Sequence, residues 1–343
     1  MSHLFLTAIG SPSVAIALLD VPDRALAADE LRVAVEAAPI NNADLLFAAG
    51  WFSVVPQVPA EMGAEGVGRV LAAGSDLDPD VVGRRVVILP TFVHGTWGHE
   101  VTVPARHTVV VPDGADPLQL AMLAVNPATA RALLTDYAAL EQGDWIGLNL
   151  ANSAVGLHVI ALARRAGIRT VAIVRREEVA ERVRERGADV VLVDGEDLGS
   201  RVADALDGAR LRLFLDGTGD SRHIAELTPN IEPGGSLVVF AAASGQAPAL
   251  PLADLIYRGV SLRAFFILNW IRDTPREELE QAYAELADLV GDGVLRTDIE
   301  AGYPLETFHQ ALEHAAKEGR SGKVLFTPGT DGGRTSDAGP VTD

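Results

Sequence analysis

Apolar and polar positions follow two different rhythms along the chain. Over the first ~120 residues the apolar positions form short runs broken by Gly, Pro and Asp. Residues 31–40 (LRVAVEAAPI) open with a period of two, residues 66–74 (GVGRVLAAG) and 84–90 (RRVVILP) are β-branched runs, and 107–114 (HTVVVPDG) is another. Short strands separated by turn residues predict a compact β-barrel. Residues 117–139 read as helical, with Pro127 as a local interruption. From Asp144 onward, strands alternate with helices: WIGLNLA (145–151), the Ala-rich helix SAVGLHVIALARRAG (153–167), TVAIV (170–174), and the amphipathic EEVAERVRERG ending at Gly187. ADVVLVD, LRLFLDG and GSLVVFAA continue as strands with helical segments between them. This alternation predicts right-handed crossovers and a doubly wound parallel sheet. A long amphipathic helix at about 274–290, a shorter one at about 305–318 and a final strand at 323–328 follow, and the Gly/Ser/Thr/Asp-rich stretch 329–343 is predicted to be disordered.

Composition narrows the class. At 343 residues, 48% of them hydrophobic and 5% aromatic, the chain suits a two-domain α/β protein with a large core. The formal net charge of −19 repels DNA, RNA and anionic membrane surfaces, so neither nucleic acid nor membrane is an expected partner. A small anionic ligand remains open, because nearby cations outweigh a distant field. The chain has no cysteine, which rules out disulfides, thiolate nucleophiles and cysteine-bound metals. The start, MSHLFLTAIG, has no basic segment before a long apolar one, and no apolar run approaches the ~20 residues that span a bilayer. The expectation is a soluble, cytoplasmic protein.

The segment 149–156 (NLANSAVG) joins a predicted strand to a predicted helix. Exposed N–H groups and the helix dipole favour an anion there, and this is where a dinucleotide pyrophosphate binds. The candidates are Asn152, Ser153, Ala154, Val155 and Gly156, the glycine letting the helix pack closely. The strict G-x-G-x-x-G is absent, so on its own the segment also reads as an ordinary β–α turn. At the end of the next strand an acidic residue would bind the ribose 2′-OH of NAD; Arg175 and Arg176 stand there instead. Two cations suit a 2′-phosphate and point to NADPH. The other reading is a solvated pair of charges at a helix start.

Several segments together resemble the zinc-free medium-chain dehydrogenases/reductases, in particular the 2-enoyl thioester (enoyl-CoA/acyl-carrier-protein) reductases and the quinone oxidoreductases. They are 38–70 (APINNADLLFAAGWFSVVPQVPAEMGAEGVGRV), GTWGHEVTVP, AVNPATARALL, GDWIGLNLANSAVGLHVIALA, FFILNW and SGKVLF. The resemblance implies a partly open GroES-like barrel at 1–125 and 268–328, with a NADP-binding Rossmann domain at 126–267 inserted between. Substrate and nicotinamide would meet in the interdomain cleft. It implies too that Asp216, Phe240, Ala241, Phe266, Ile267 and Lys323 line the cofactor, and that the protein is a homodimer. Alcohol dehydrogenases of this superfamily bind zinc through two cysteines and a Gly-His-Glu motif; here the triplet is Gly63-Ala64-Glu65, so no zinc is expected and no metal residues are assigned. The enoyl reductases also carry a tyrosine that hydrogen-bonds the thioester carbonyl. Phe52 aligns with it and has no O–H to donate.

The remaining candidates follow from the chemistry. Hydride transfer needs placement and exclusion of water, and alkene reduction needs stabilisation of an enolate oxygen. Asn41 and Asn126 are candidate donors and Thr129 a candidate contact at the nicotinamide end; a hydroxyl bonded to its own helix is the competing reading for Thr129. Asp44, beside them, reads as a helix cap. Trp51, Phe52 and Trp270 are candidates for an apolar substrate wall or for core, and Trp97 is structural. Three functions are carried forward: NADPH-dependent reduction of an enoyl thioester or enone, NADPH:quinone reduction, and an idle NADPH-binding protein acting through a partner.

Overall fold

The structure is a computed structural model that describes residues 2–329. The chain folds as two compact units, one running up to Val125 and resuming at Thr274, the other Asn126–Asp273. The first unit opens with strands β1 (Ser2–Leu6), β2 (Ile16–Asp20), β3 (Glu30–Pro39), β4 (Ala60–Glu61), β5 (Gly66–Ala73), β6 (Arg85–Ile88), β7 (Glu100–Pro104) and β8 (Thr108–Val110). The second unit holds β9 (Trp145–Leu148), β10 (Arg169–Val174), β11 (Val190–Val193), β12 (Leu211–Asp216), β13 (Ile231–Val239) and β14 (Ser261–Ala264). The first unit is then completed by the helix Arg276–Gly291, β15 (Ile299–Tyr303), the helix Phe308–Ala316 and β16 (Lys323–Phe326).

In the first unit β3 is the organising strand. Its alternating side chains Leu31, Val33 and Val35 are buried while Arg32 and Ala34 are half-exposed, and it pairs with β5, β7 and the returning β16. The result is a mixed seven-stranded sheet in the order β15-β16-β3-β5-β6-β8, with β7 also on β3, beside a three-stranded sheet β2-β1-β4. The core joins these strands to Phe47, Trp97 and Phe326, each large apolar side chain contributing about 1.5–3 kcal/mol by leaving water.

The second unit is a six-stranded parallel sheet in the order β11-β10-β9-β12-β13-β14, the doubly wound Rossmann arrangement. Both faces are covered. Ile146, Leu148, Ala172, Val174, Leu213 and Leu215 pack on the helix Ala154–Arg165 side, while Val171, Ile173, Phe214 and Leu237 pack against Leu198, Val202 and Ile224. Burial on two sides explains why these strands read as unbroken apolar runs.

Some expectations shift. The predicted helix 117–139 is two pieces, Pro117–Leu120 and Asn126–Thr135, with irregular chain from 136 to 142. Pro127 stands in the first turn of the second piece, where its missing N–H costs nothing, and starts a helix rather than interrupting one. The second unit keeps the helix Ile267–Asp273, so the chain returns to the first at Thr274. The predicted disorder at 330–343 lies outside the described residues. No described helix is long and apolar enough to cross a membrane.

Candidate functional site

In the second unit, candidate residues collect at the C-terminal ends of β9, β10, β12 and β13. Beyond β9 the chain turns sharply: Leu150 sits in the left-handed region at φ 48°, a conformation that costs a branched side chain energy and clusters at ligand sites. Ser153 then caps the 12-residue helix Ala154–Arg165 by accepting a hydrogen bond from Gly156 N at 3.1 Å. A Cβ at Gly156 would lie 2.6 Å from Ala151 O and 2.7 Å from Leu150 O, so only glycine lets the helix start this close to the turn. The N–H groups of Ala154 and Val155, in the helix's first turn, have no intrahelical acceptor and point out of its positive end.

A buried polar network holds the turn. Asn149 donates through Nδ2 to Asp216 Oδ1 and, at 3.1 Å, to Thr218 Oγ1, and its Oδ1 accepts from Gly217 N at 2.6 Å. Asp216, fully buried, also accepts from the Thr218 hydroxyl at 2.8 Å and from Gly219 N at 2.7 Å. Its carboxylate is therefore engaged inside the protein. It shapes the 216–219 turn, and its partner Asn149 was not among the residues singled out in the sequence. Leu150, Gly217 and Phe240 converge above it: a Cβ at Gly217 would meet Leu150 at 2.7 Å and the Phe240 ring at 2.9 Å. Phe240 N donates to Asp216 O at 2.9 Å, Ala241 is exposed, and Phe266 and Ile267 are half-buried at the start of the last helix of this unit.

Arg175 and Arg176 follow directly on β10 and are exposed. Among the described residues neither side chain has a hydrogen-bond or ion-pair partner, although Glu177 and Glu178 come next in the chain. On the helix Asn126–Thr135, Asn126 Nδ2 is buried without a partner among the described residues. Thr129 is buried, and its hydroxyl makes no hydrogen bond to its own helix. Trp270 donates from Nε1 to Asp136 Oδ2 at 3.1 Å within the same unit.

The first unit contains a second concentration of polar groups. Asn41 Oδ1 accepts from Lys323 Nζ at 2.5 Å, and Asn41 Nδ2 donates to Glu65 Oε1 at 2.8 Å. Glu65 Oε2 accepts from Val125 N at 2.9 Å. Asp44 receives Asn41 N at 2.8 Å and Ala64 N at 2.9 Å, closing one half of a capping box on the helix Asn42–Ala48 as its cap reading anticipated. Asp44 and Glu65 are 1% and 0% exposed, and burial pushes each carboxyl up to about 7 despite those hydrogen bonds. Lys323 is half-buried; withdrawal of its ammonium from water lowers its pKa, against the pull of Glu65 and Asp44. Asn41 bridges Glu65 and Lys323, donating one N–H of its amide to the carboxylate and accepting from the ammonium through Oδ1. Lys323, from β16, is held by Asn41 within the first unit. The sequence carried a signal for Glu65 only in the Gly63-Ala64-Glu65 triplet.

Comparison with known proteins adds to this geometry. A model of the alcohol dehydrogenase GroES-like domain matches residues 27–113, and one named zinc-binding dehydrogenase matches 154–288. The mitochondrial enoyl-[acyl-carrier-protein] reductase of Xenopus tropicalis is 33% identical over 312 residues, covering 89% of this chain and 89% of its own length. The chain belongs to the medium-chain dehydrogenases/reductases, in the branch of the enoyl and quinone reductases. A mycobacterial quinone oxidoreductase superposes with a TM-score of 0.85 at 26% identity, covering 96% of this chain and 100% of that one. A mycobacterial structure complexed with NADPH gives 0.79, also at 26% identity and with the same coverage.

Within this medium-chain reductase, the aromatic candidates divide. Trp51 is 82% exposed, whereas Phe52 stacks on Phe92 with centroids 4.6 Å apart and Phe92 in turn meets Phe47 at 5.1 Å. Phe52 is thus part of an aromatic group at the core's edge. Trp51 and Phe52 lie in the first unit and Trp270 in the second, so no single unit assembles the three-residue wall. Trp97 is fully buried and donates to Pro39 O at 3.1 Å, a structural role as read. Among the described residues no group of three or more His, Asp or Glu side chains is placed to hold a metal ion.

Proposed function

We propose that this chain reduces an activated C=C bond, in a 2-enoyl thioester or an enone, with NADPH and without zinc. The observation that carries the reading is the pair of guanidinium groups at 175 and 176, without a partner among the described residues, one step beyond a β9-turn-helix unit whose Ala154 and Val155 N–H groups have no intrahelical acceptor. Charge of that kind left unpaired in a chain of net charge −19 suits a phosphate that arrives with a ligand. The turn 149–156 would receive the diphosphate through backbone N–H groups, and Arg175 the 2′-phosphate. When bound, NADPH supplies the hydride that attacks the electrophilic β-carbon. Phe240, Phe266 and Ile267 keep water from the strand ends, while Asn126 Nδ2 and the Thr129 hydroxyl, uncommitted among the described residues, are donors for a carboxamide or an enolate oxygen. The relatives named as enoyl reductases, and the NADPH-bound mycobacterial structure, support the same assignment.

A second reading, NADPH:quinone reduction, has its own support. Phe52 occupies the place where the resemblance expects an O–H donor, and a quinone needs no dedicated acid. The third, an idle NADPH-binding protein, rests on that same absence. We further infer a homodimer: β14 is an open edge of the parallel sheet, and beside it the short helix Leu252–Tyr257 leaves Leu252 69%, Ile256 59% and Tyr257 84% exposed. The test of function is NADPH consumption screened against crotonyl thioesters, enones and quinones. Turnover of thioesters or enones is expected. Turnover of quinones alone moves the assignment to the second reading, tight NADPH binding with no turnover moves it to the third, and no binding of either nucleotide removes all three.

A further inference from the structure

A carboxylate stands beside the cationic pair at the end of β10. Val174 and Val193 are the last register pair of β10 and β11, and Asp194 N donates to Val174 O at 2.8 Å. Residues 175 and 194 are therefore the next positions on two strands about 4.8 Å apart. Asp194 is not spent on a cap or on Arg175. Its Oδ1 lies 2.8 Å from His223 Nε2, and the same nitrogen lies 2.8 Å from a guanidinium nitrogen of Arg222. Arg222 is also paired with Glu226 at 3.1 Å, and Asp220 accepts the backbone N–H groups of both Arg222 and His223. The His223 side chain is 11% exposed and that of Asp194 22%, so imidazole and carboxylate are shielded while one side of the carboxylate stays open.

One ring nitrogen cannot serve both neighbours at once. With a proton on Nε2 the ring donates to Asp194; without one it accepts from Arg222, and Asp194 loses that hydrogen bond. Resting on the NADPH reading above, we propose that Asp194 is a specificity-determining residue that holds down the preference for the 2′-phosphorylated nucleotide, and that His223 is the positioning residue that offsets it. Asp194 repels the phosphate that Arg175 attracts. A ribose with a free 2′-OH carries no charge to repel, so NADH escapes the effect. The balance of 175 against 194 then sets how exclusively the chain uses NADPH.

The experiment is titration of the full chain with NADPH and with NADH, read by nucleotide fluorescence and by calorimetry, for wild type, Asp194→Asn, Asp194→Ser, His223→Asn and the double variant Asp194→Asn/His223→Asn. Removing the carboxylate is expected to tighten NADPH on the order of 3- to 10-fold and leave NADH unchanged, the size set by two charges interacting near a solvated surface. His223→Asn is expected to weaken NADPH several-fold with Asp194 present and to change nothing in the double variant. A merely structural histidine would move both nucleotides together and would still do so without Asp194. An unchanged NADPH-to-NADH ratio in both Asp194 variants, or weaker NADPH in either, overturns the proposal. If Arg175→Ala still weakens NADPH selectively, the cofactor reading survives that loss; if wild type binds neither nucleotide, both fall together.

Discussion

The two units treat charge in opposite ways. In the first, Asp44, Glu65 and Asn41 are buried beside half-buried Lys323, and the Asn41 amide joins Glu65 to Lys323. In the second, Arg175 and Arg176 stand in solvent with no protein partner among the described residues. The first arrangement is closed among protein groups: every oxygen of Asp44 and Glu65 has a donor from the chain itself. The second is open, as the proposed contact with a 2′-phosphate requires.

Breaking the closed arrangement should produce the largest effect. Lys323→Met removes a cation whose charge acts on two enclosed carboxyl groups, and loss of one partner from a buried ionic group costs about 3 kcal/mol or more. Urea unfolding followed by circular dichroism should show the midpoint falling accordingly, with Lys323→Arg recovering part of it. A variant as stable as wild type would mean the cluster is already neutral without the ammonium.

The next effect is a slope rather than a step. Asp44 and Glu65 have folded pKa values raised from 3.8 and 4.5 to about 7, so between about pH 4.5 and 7 the folded chain keeps protons that the unfolded chain has released. Their contribution is complete below the unfolded values and is lost as pH rises through about 7. His3, lowered to about 4, and His94 and His107, both lowered by burial, push the slope the other way. The informative quantity is therefore the difference between wild type and Glu65→Gln. Stability of the variant relative to wild type should rise across pH 5–7 by up to about 3 kcal/mol; a difference independent of pH would mean that Glu65 is already ionised.

At the open arrangement, Arg175→Ala should cost NADPH about 1.5–3 kcal/mol of binding, the range for one charged hydrogen-bonding partner, and cost NADH little. Equal losses for both nucleotides would show that Arg175 does not read the 2′-phosphate. The folding midpoint should not move, in contrast to Lys323→Met.

This contrast also explains what the sequence could reveal. The parallel unit was legible because strands buried on both faces stand out as apolar runs and the helices between them carry their own period. The edge strand β14 was not, since Leu262, Arg263 and Ala264 are exposed and leave no alternation to read. Nor were β1 and β2, each only five residues long and so too short to show a clear period. Arg175 was legible for a local reason: it follows a strong strand. The closed cluster was not, because its central contact joins residues 282 positions apart, and only the return of β16 onto β3 brings them together.

The smallest effect separates the two ends of the same ligand. Ser153→Ala removes the acceptor for Gly156 N, and loss of such a cap costs about 1 kcal/mol of stability. The freed N–H joins those of Ala154 and Val155, so the turn keeps its positive end but loses the side chain that fixes the first helical turn. The diphosphate is common to NADPH and NADH, so any loss of affinity should be equal for both, on the order of 1 kcal/mol or less. Arg175→Ala should instead divide them. Measured side by side, a selective effect at 153 would place the 2′-phosphate, not the diphosphate, at the helix start, and the orientation assigned to the nucleotide across the sheet would have to be reversed.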